Sequence, residues 1–315
     1  MDNLKELYKR ILEYYESTKQ DVYIYSGPID RNIHILRELI CSHQNKREEA
    51  SLFIATFGGD PDWAYRLIAI LRRYYKKINI IIPGYCKSAG TLVALGADTL
   101  RFHEYGELGP LDVQMRRKDN LLGYNSGLDV FQAIQVINMS ARECFHNMFI
   151  EFLMKGGGSI PTETAAKIAK DLAVGIYSSI ASKIDPLELG EKNRAMKIAS
   201  SYGEKLNSIS QNNNMKQDTL NKLISDYPSH GFVIDMQQAK ELFKNVENMT
   251  EMDYYLFKAF QKNFENPSEV FCLDLESIRN SLEKEEKNVD VCRGGDELSS
   301  SNKEGKNRAN TKKSK

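Results

Sequence analysis

Two short apolar runs, each closed by a glycine-bearing turn that opens into a helical pattern, constrain this chain more than anything else in it. The first is Leu52-Phe53-Ile54-Ala55-Thr56-Phe57, closed by Gly58-Gly59-Asp60-Pro61. The second is Ile78-Asn79-Ile80-Ile81-Ile82, closed by Pro83-Gly84-Tyr85-Cys86-Lys87-Ser88-Ala89-Gly90. Runs this short, rich in β-branched and aromatic residues, read as buried strands rather than helices. A strand that turns directly into a helix presents free backbone N–H groups at the helix start, where they can hold negative charge. Two such turns, one carrying a serine, have the makings of an acyl-transfer site.

The flanking pattern predicts an α/β core. Asp21-Val22-Tyr23-Ile24-Tyr25 reads as a strand, and Asp30 as the cap of a helix reaching about His43. Asp60 with Pro61 is a natural helix start for a segment ending near Lys76. Ser88 opens the next helix, and Thr99-Leu100-Arg101-Phe102-His103 reads as a further strand. Residues 126–207 are mostly helical in pattern, broken at Gly156-Gly157-Gly158 and at Asp185-Pro186. A short strand is expected over 231–235, then a helix from Met236 to about Lys244. The expected organisation is an N-terminal helix over 1–19, one α/β domain over 20–250, a C-terminal helix within 251–280 and a charged tail over 281–315. That tail is too poor in apolar residues to offset its ordering entropy, so disorder is expected there.

Composition removes several classes of function. The 43 basic and 43 acidic side chains balance, so no overall field draws the chain to nucleic acid. Its five cysteines form no CxxC pair, which argues against a zinc ribbon and a secreted disulfide framework. No apolar run approaches the roughly 20 residues that span a bilayer. The N-terminal residues are charged throughout, without the apolar stretch of a signal peptide, so a cytoplasmic protein is expected. No HExxH, P-loop or GxGxxG occurs, and Cys86 stands where a GxSxG elbow has its first glycine.

A serine hydroxyl becomes an effective nucleophile only when a base takes its proton and donors stabilise the resulting oxyanion. Ser88 is the candidate nucleophile, with the Ala89 amide as one donor and the Gly58-Gly59 turn as the source of the other. The plainer alternative is that Ser88 caps its helix and the glycines merely turn the chain.

These residues resemble the Clp-protease/crotonase fold, and within it the serine dehydrogenase proteinase family, related to signal peptide peptidase A. The resemblance is carried by 55–61, by Pro83-Gly84-Tyr85-Cys86-Lys87-Ser88-Ala89-Gly90-Thr91, by Leu95-Gly96-Ala97-Asp98 and by 106–114, with weaker support from 183–190 and 227–235. It covers roughly residues 20–245. It implies repeated ββα units with a helical C-terminal extension, hydrolysis of peptide bonds through a Ser88 acyl-enzyme, and no metal or organic cofactor. It also implies a peptide or protein substrate and a homo-oligomer. By position, Ser88 resembles the nucleophile, and the Gly59 and Ala89 amides, with Gly58 beside them, the oxyanion hole.

The base departs from the family pattern. Clp proteases place a histidine where this chain has Leu111-Asp112-Val113, so Asp112 is left to orient a base or cap a turn. Lys155 stands roughly where signal peptide peptidase A has its lysine, and a lysine base needs a pKa lowered by burial. His230 is the other candidate, because the unperturbed histidine side chain titrates near neutral pH, as a base needs. Two rival readings stay open: a crotonase-like acyl-CoA enzyme, which needs a carboxylate base, and a non-catalytic scaffold of the same fold.

Overall fold

Four of the runs that read as strands, at 21–25, 52–57, 78–82 and 99–103, contribute to one central sheet. A computed structural model describes residues 11, 13–111, 114–116, 124–210 and 213–279 of the chain. In chain order the first half runs β1 (Asp21–Ser26), α1 (Ile33–Ser42), β2 (Glu49–Ala55), α2 (Pro61–Tyr74), β3 (Lys77–Ile82), β4 (Tyr85–Cys86), α3 (Ala89–Leu95), β5 (Thr99–Phe102) and β6 (Glu107–Leu108). A small hairpin, β7 (Gln114–Arg116) and β8 (Tyr124–Ser126), leads into three long helices, α4 (Gly127–Lys155), α5 (Thr162–Ala181) and α6 (Pro186–Ile209). A short helical stretch over Thr219–Asn221 continues as a π-helix, Lys222–Asp226. The described chain then adds α7 (Met236–Leu242), β9 (Val246–Asn248), α8 (Glu251–Glu265) and β10 (Phe271–Asp274).

The main sheet has the order β10-β1-β2-β3-β5-β9, parallel throughout except for β10, which lies antiparallel on β1. Parallel strands covered on both faces need apolar residues at nearly every position, which is why these segments lack polar alternation. Successive side chains still divide between the two faces. Tyr23, Tyr25, Leu52, Ile54, Ile80 and Ile82 pack toward α1, α2 and α3, through Leu36, Leu67, Leu71 and Leu92 among others. Val22, Ile24, Phe53 and Ile81 pack on the opposite face, against Leu256, Phe257, Phe260 and Phe264 of α8.

A second, shorter layer of extended chain sits at the ends of these strands. Bridges join Ile29 to Gly59, Thr56 to Cys86, and Leu108 to Ile234, and β4 pairs with β6. The pieces following β1, β2, β3 and β5 thus contact one another beyond the main sheet, and β3 with β4 and α3 forms an explicit ββα run.

Buried polar contacts fix the helical layer to this frame. Arg72 of α2 pairs with Asp98 at 2.6 Å, both side chains buried. Asp98 also accepts from the Ile78 amide at 2.8 Å and from the Ser210 hydroxyl at 3.1 Å, so one carboxylate joins α2, β3 and the end of α6. Stacking of Tyr65 on Tyr202, ring centres 5.0 Å apart, sets α6 over α2.

Several expectations change. The predicted strand over 231–235 reduces to a bridge at Ile234, because only that residue exchanges hydrogen bonds with Leu108. The first predicted helix begins at Ile33, since the Asp30 carboxylate instead closes a turn by accepting from Asn32. Residues 251–280 are not simply a helix, because β10 returns the chain to the main sheet beside β1. Described residues 13–18 of the expected N-terminal helix are helical, and Tyr14 donates to Asp253 of α8 at 2.6 Å. The 281–315 tail lies outside the described residues.

Candidate active site

The two glycine-bearing turns meet. The Thr56 amide donates to the Tyr85 carbonyl at 2.7 Å, and the Lys87 amide donates to the Thr56 carbonyl at 3.0 Å, so the end of β2 is laced to β4. Gly58 and Gly59 have φ of +110° and +145°, a region that side-chain-bearing residues rarely adopt. A Cβ on Gly58 would stand 2.8 Å from the Ser88 Cβ and 3.3 Å from its Oγ, and one on Gly59 would stand 2.2 Å from the Ile29 carbonyl oxygen. The diglycine bend therefore lies against Ser88, packed too closely for any side chain.

Ser88 itself has φ +50° and ψ −112°, with no glycine to relieve the strain. Non-glycine residues held in such sparsely populated regions cluster at functional sites. A nucleophile on a sharp, strained strand-to-helix turn is also the arrangement of the α/β-hydrolase elbow, reached here without its glycine signature. The Ser88 side chain makes no capping hydrogen bond to α3, which removes the plainer explanation for a serine at this position.

Ser88 lines a cleft of about 330 Å³, together with Gly59, Ala89 and His230. Among the described residues, the Gly59 and Ala89 amides have no protein acceptor. Gly58 is different, and its expected place in the oxyanion hole is corrected. Its amide donates to Thr56 Oγ1 at 3.0 Å and its carbonyl accepts from Ile29, so this residue builds the turn. The remaining wall is apolar: Leu92 of α3, Leu111, and Ala195, Ile198 and Ala199 of α6.

The candidate bases separate clearly. His230 is half-buried in the cleft wall. Its loop is anchored by Lys87, whose ammonium donates to the Leu108 and Phe232 carbonyls at 3.1 and 3.2 Å and pairs with Glu107 at 2.9 Å. Lys87 thus points away from the cleft and ties down the segment carrying His230. Lys155 is exposed at the end of α4 and paired with Glu151 one turn earlier, outside the cleft wall. Its hydrogen bond and charge hold the exposed Glu151 carboxyl below its usual range. Exposure denies Lys155 the burial that would make it a base. Asp112 lies outside the described residues.

No family model matches the chain. Over 87 residues it is 33% identical to an uncharacterized protein of Methanocaldococcus jannaschii, a stretch covering 28% of this chain and 30% of that relative. The chain thus matches less than a third of that relative's length.

Two other reactive side chains serve packing. Cys86 is fully buried, and burial pushes its thiol up to about 12, a neutral group at physiological pH. His103 packs on Phe257 with ring centres 4.2 Å apart, accepts from the Tyr105 amide, and has its pKa lowered by burial. The apolar wall from α6 is the part that reading the sequence missed. Its only trace there is Ala195 and Ala199 at i, i+4 spacing beside Ile198, a small-residue stripe on one helix face.

Proposed function

We propose that this protein is a serine peptidase of Clp/crotonase-like fold, with Ser88 as nucleophile and His230 as general base. The observation that carries the reading is Ser88 itself: a hydroxyl on a strained strand-to-helix turn, not used as a cap, bordering a cleft beside two amides without protein acceptors. The layer of short extended pieces beyond the main sheet supports the fold, and the βα turns supply the donors.

In this mechanism His230 takes the Ser88 proton as Oγ attacks the peptide carbonyl carbon. The carbonyl oxygen, now anionic, is held by the Gly59 and Ala89 amides. The tetrahedral adduct collapses, its C–N bond breaks, and the amine leaves with the proton from His230. Water then attacks the acyl-enzyme with His230 again as base, releasing the acid and restoring the serine. The wall of Leu92, Leu111, Ala195, Ile198 and Ala199 favours apolar substrate side chains.

A crotonase-like enzyme needs a carboxylate at the reacting carbon, and none lines the cleft among the described residues. Apolar side chains exposed on the long helices, including Met139, Met154, Val174 and Leu187, support assembly with further copies of the chain. Among the described residues no helix is long and apolar enough to cross a membrane.

The test is labelling with a fluorophosphonate followed by peptide mapping, beside turnover of apolar peptide substrates. Ser88 should carry the adduct, and Ser88→Ala should lose at least about 10³-fold in kcat. Turnover that survives in Ser88→Ala would refute the assignment.

A further inference from the structure

A second cluster of chemically capable side chains lies at the β10 edge of the sheet, independent of the Ser88 cleft. His43 follows α1, Asp21 opens β1, Asp274 ends β10, and Glu276 lies in the helical turn beyond it. All four are buried. His43 Nε2 is 3.3 Å from Asp21 Oδ1 and 3.0 Å from Glu276 Oε2, and its Nδ1 is 3.3 Å from Asp274 Oδ2. Despite these distances, neither ring nitrogen has a hydrogen-bond partner, and Asp21 Oδ1 has none either. The oxygens surround the ring without lying where its N–H groups would point.

Three buried carboxylates around one imidazole are costly unless a cation balances them. Arg47 approaches Asp21 only at 4.0 Å through its side chain, and the remaining contacts of Asp21 are the Arg47 amide and the Tyr75 hydroxyl on Oδ2. Asp274 accepts from the Glu276 amide and the Ser277 hydroxyl, both neutral donors. Arg47 and Arg279, the latter in the wall of the cleft that reaches the cluster, are neighbouring cations, and neither hydrogen-bonds Asp21 Oδ1.

The 3.3 Å from His43 Nδ1 to Asp274 Oδ2 is also the separation of neighbouring ligands of a small metal ion. Atoms about 2.0–2.1 Å from a tetrahedral centre stand about 3.3 Å from one another. One ligand atom from each of His43, Asp274 and Glu276 falls within 4.8 Å of the others. An open polar cleft of about 330 Å³, with Ser42, Asn45 and Ser277 in its wall, reaches this cluster and provides entry and room for water. We propose that His43, Asp274 and Glu276 bind one divalent transition-metal ion, with water completing its shell. One imidazole nitrogen with carboxylate oxygens suits Zn²⁺ or Mn²⁺ better than Ca²⁺ or Mg²⁺. Ligation through Nδ1, the nitrogen beside Asp274, leaves Nε2 facing Asp21 Oδ1, a carboxylate that can orient the ring as partners of metal-ligating histidines do. Because Asp274 ends β10 and His43 follows α1, the ion would tie the antiparallel edge strand to the end of that helix.

The experiment uses the full chain without a histidine tag, stripped with EDTA and dialysed against Zn²⁺ or Mn²⁺. One equivalent per chain should remain by elemental analysis, and thermal unfolding should move to higher temperature. Glu276→Gln and Asp274→Asn, which keep side-chain size, should each weaken binding at least tenfold, with far-UV circular dichroism confirming a folded chain. His146→Gln, on exposed helix surface, should leave binding unchanged. Failure of the wild-type chain to retain either ion overturns the proposal. So does retention undiminished in Glu276→Gln. Neither result bears on Ser88.

Discussion

The strain at Ser88 can be weighed directly by comparing two variants that both lack the hydroxyl. Ser88→Ala keeps a Cβ at φ +50° and ψ −112°, whereas Ser88→Gly removes it. Such backbone strain costs about 1–3 kcal/mol in a non-glycine residue. Glycine gives back about 0.5–1 kcal/mol through the greater entropy of its unfolded chain. The balance favours Ser88→Gly by about 1 kcal/mol. In a body of about 150–250 residues, that is a rise of about 2–4 °C in Tm over Ser88→Ala. Neither variant makes the hydroxyl's interactions, so the difference isolates the turn. Calorimetry measures it, and urea unfolding checks that the two variants share one m-value. Equal stability, or a more stable Ser88→Ala, would mean that the turn stores no strain. The elbow argument for Ser88 would then fail whatever its activity.

Gly59→Ala places a Cβ 2.2 Å from the Ile29 carbonyl oxygen in a backbone at φ +145°, so the amide beside the cleft must move. Loss of one oxyanion donor lowers kcat about 10²–10³-fold, and unchanged peptide turnover in a folded variant would remove Gly59 from the site. His230→Gln should lower kcat/KM at least about 10²-fold while Lys155→Gln leaves it unchanged, because only His230 lines the cleft; the reverse ranking in steady-state assays would exchange the two roles. Cys86, with its thiol pushed up to about 12, holds on the order of one thiolate in 10⁴ at pH 8. Iodoacetamide at that pH should label exposed Cys41 and spare Cys86, read by peptide mapping, and rapid labelling of Cys86 would refute the burial argument for its thiol.

The parts of the fold legible in the sequence are those whose signal is local. β1, β2 and β3 are largely apolar runs because both faces are covered, and α2 announces itself through Asp60, which accepts from the Asp62 amide, and Pro61. The missed pieces are extended only because of distant partners. Phe271-Cys272-Leu273-Asp274 is four residues long, and its pairing with Tyr23–Ser26 crosses almost the whole described chain. Residues 231–235 carry a strand-like composition, yet the partner β6 has only two residues and leaves room for one bridge. Pairing length belongs to the partner as much as to the segment.

The candidate site divides along the same line. Its candidate donors come from backbone, and backbone geometry leaves marks in the residue types: two glycines at positive φ, and a serine at the mouth of a short helix. Its base and its wall come from side chains of distant elements, and nothing local marks a histidine or an alanine as facing a cleft. Lys155 shows the consequence. By position it is as good a candidate as His230, but it ends a 29-residue helix and meets solvent, whereas Lys87 draws the 230–234 loop toward β6 through two carbonyls. The contact that holds His230 at the cleft wall therefore belongs to neither candidate base. A buried ammonium one position before Ser88 holds the His230 loop at the cleft, and its own side chain points the other way.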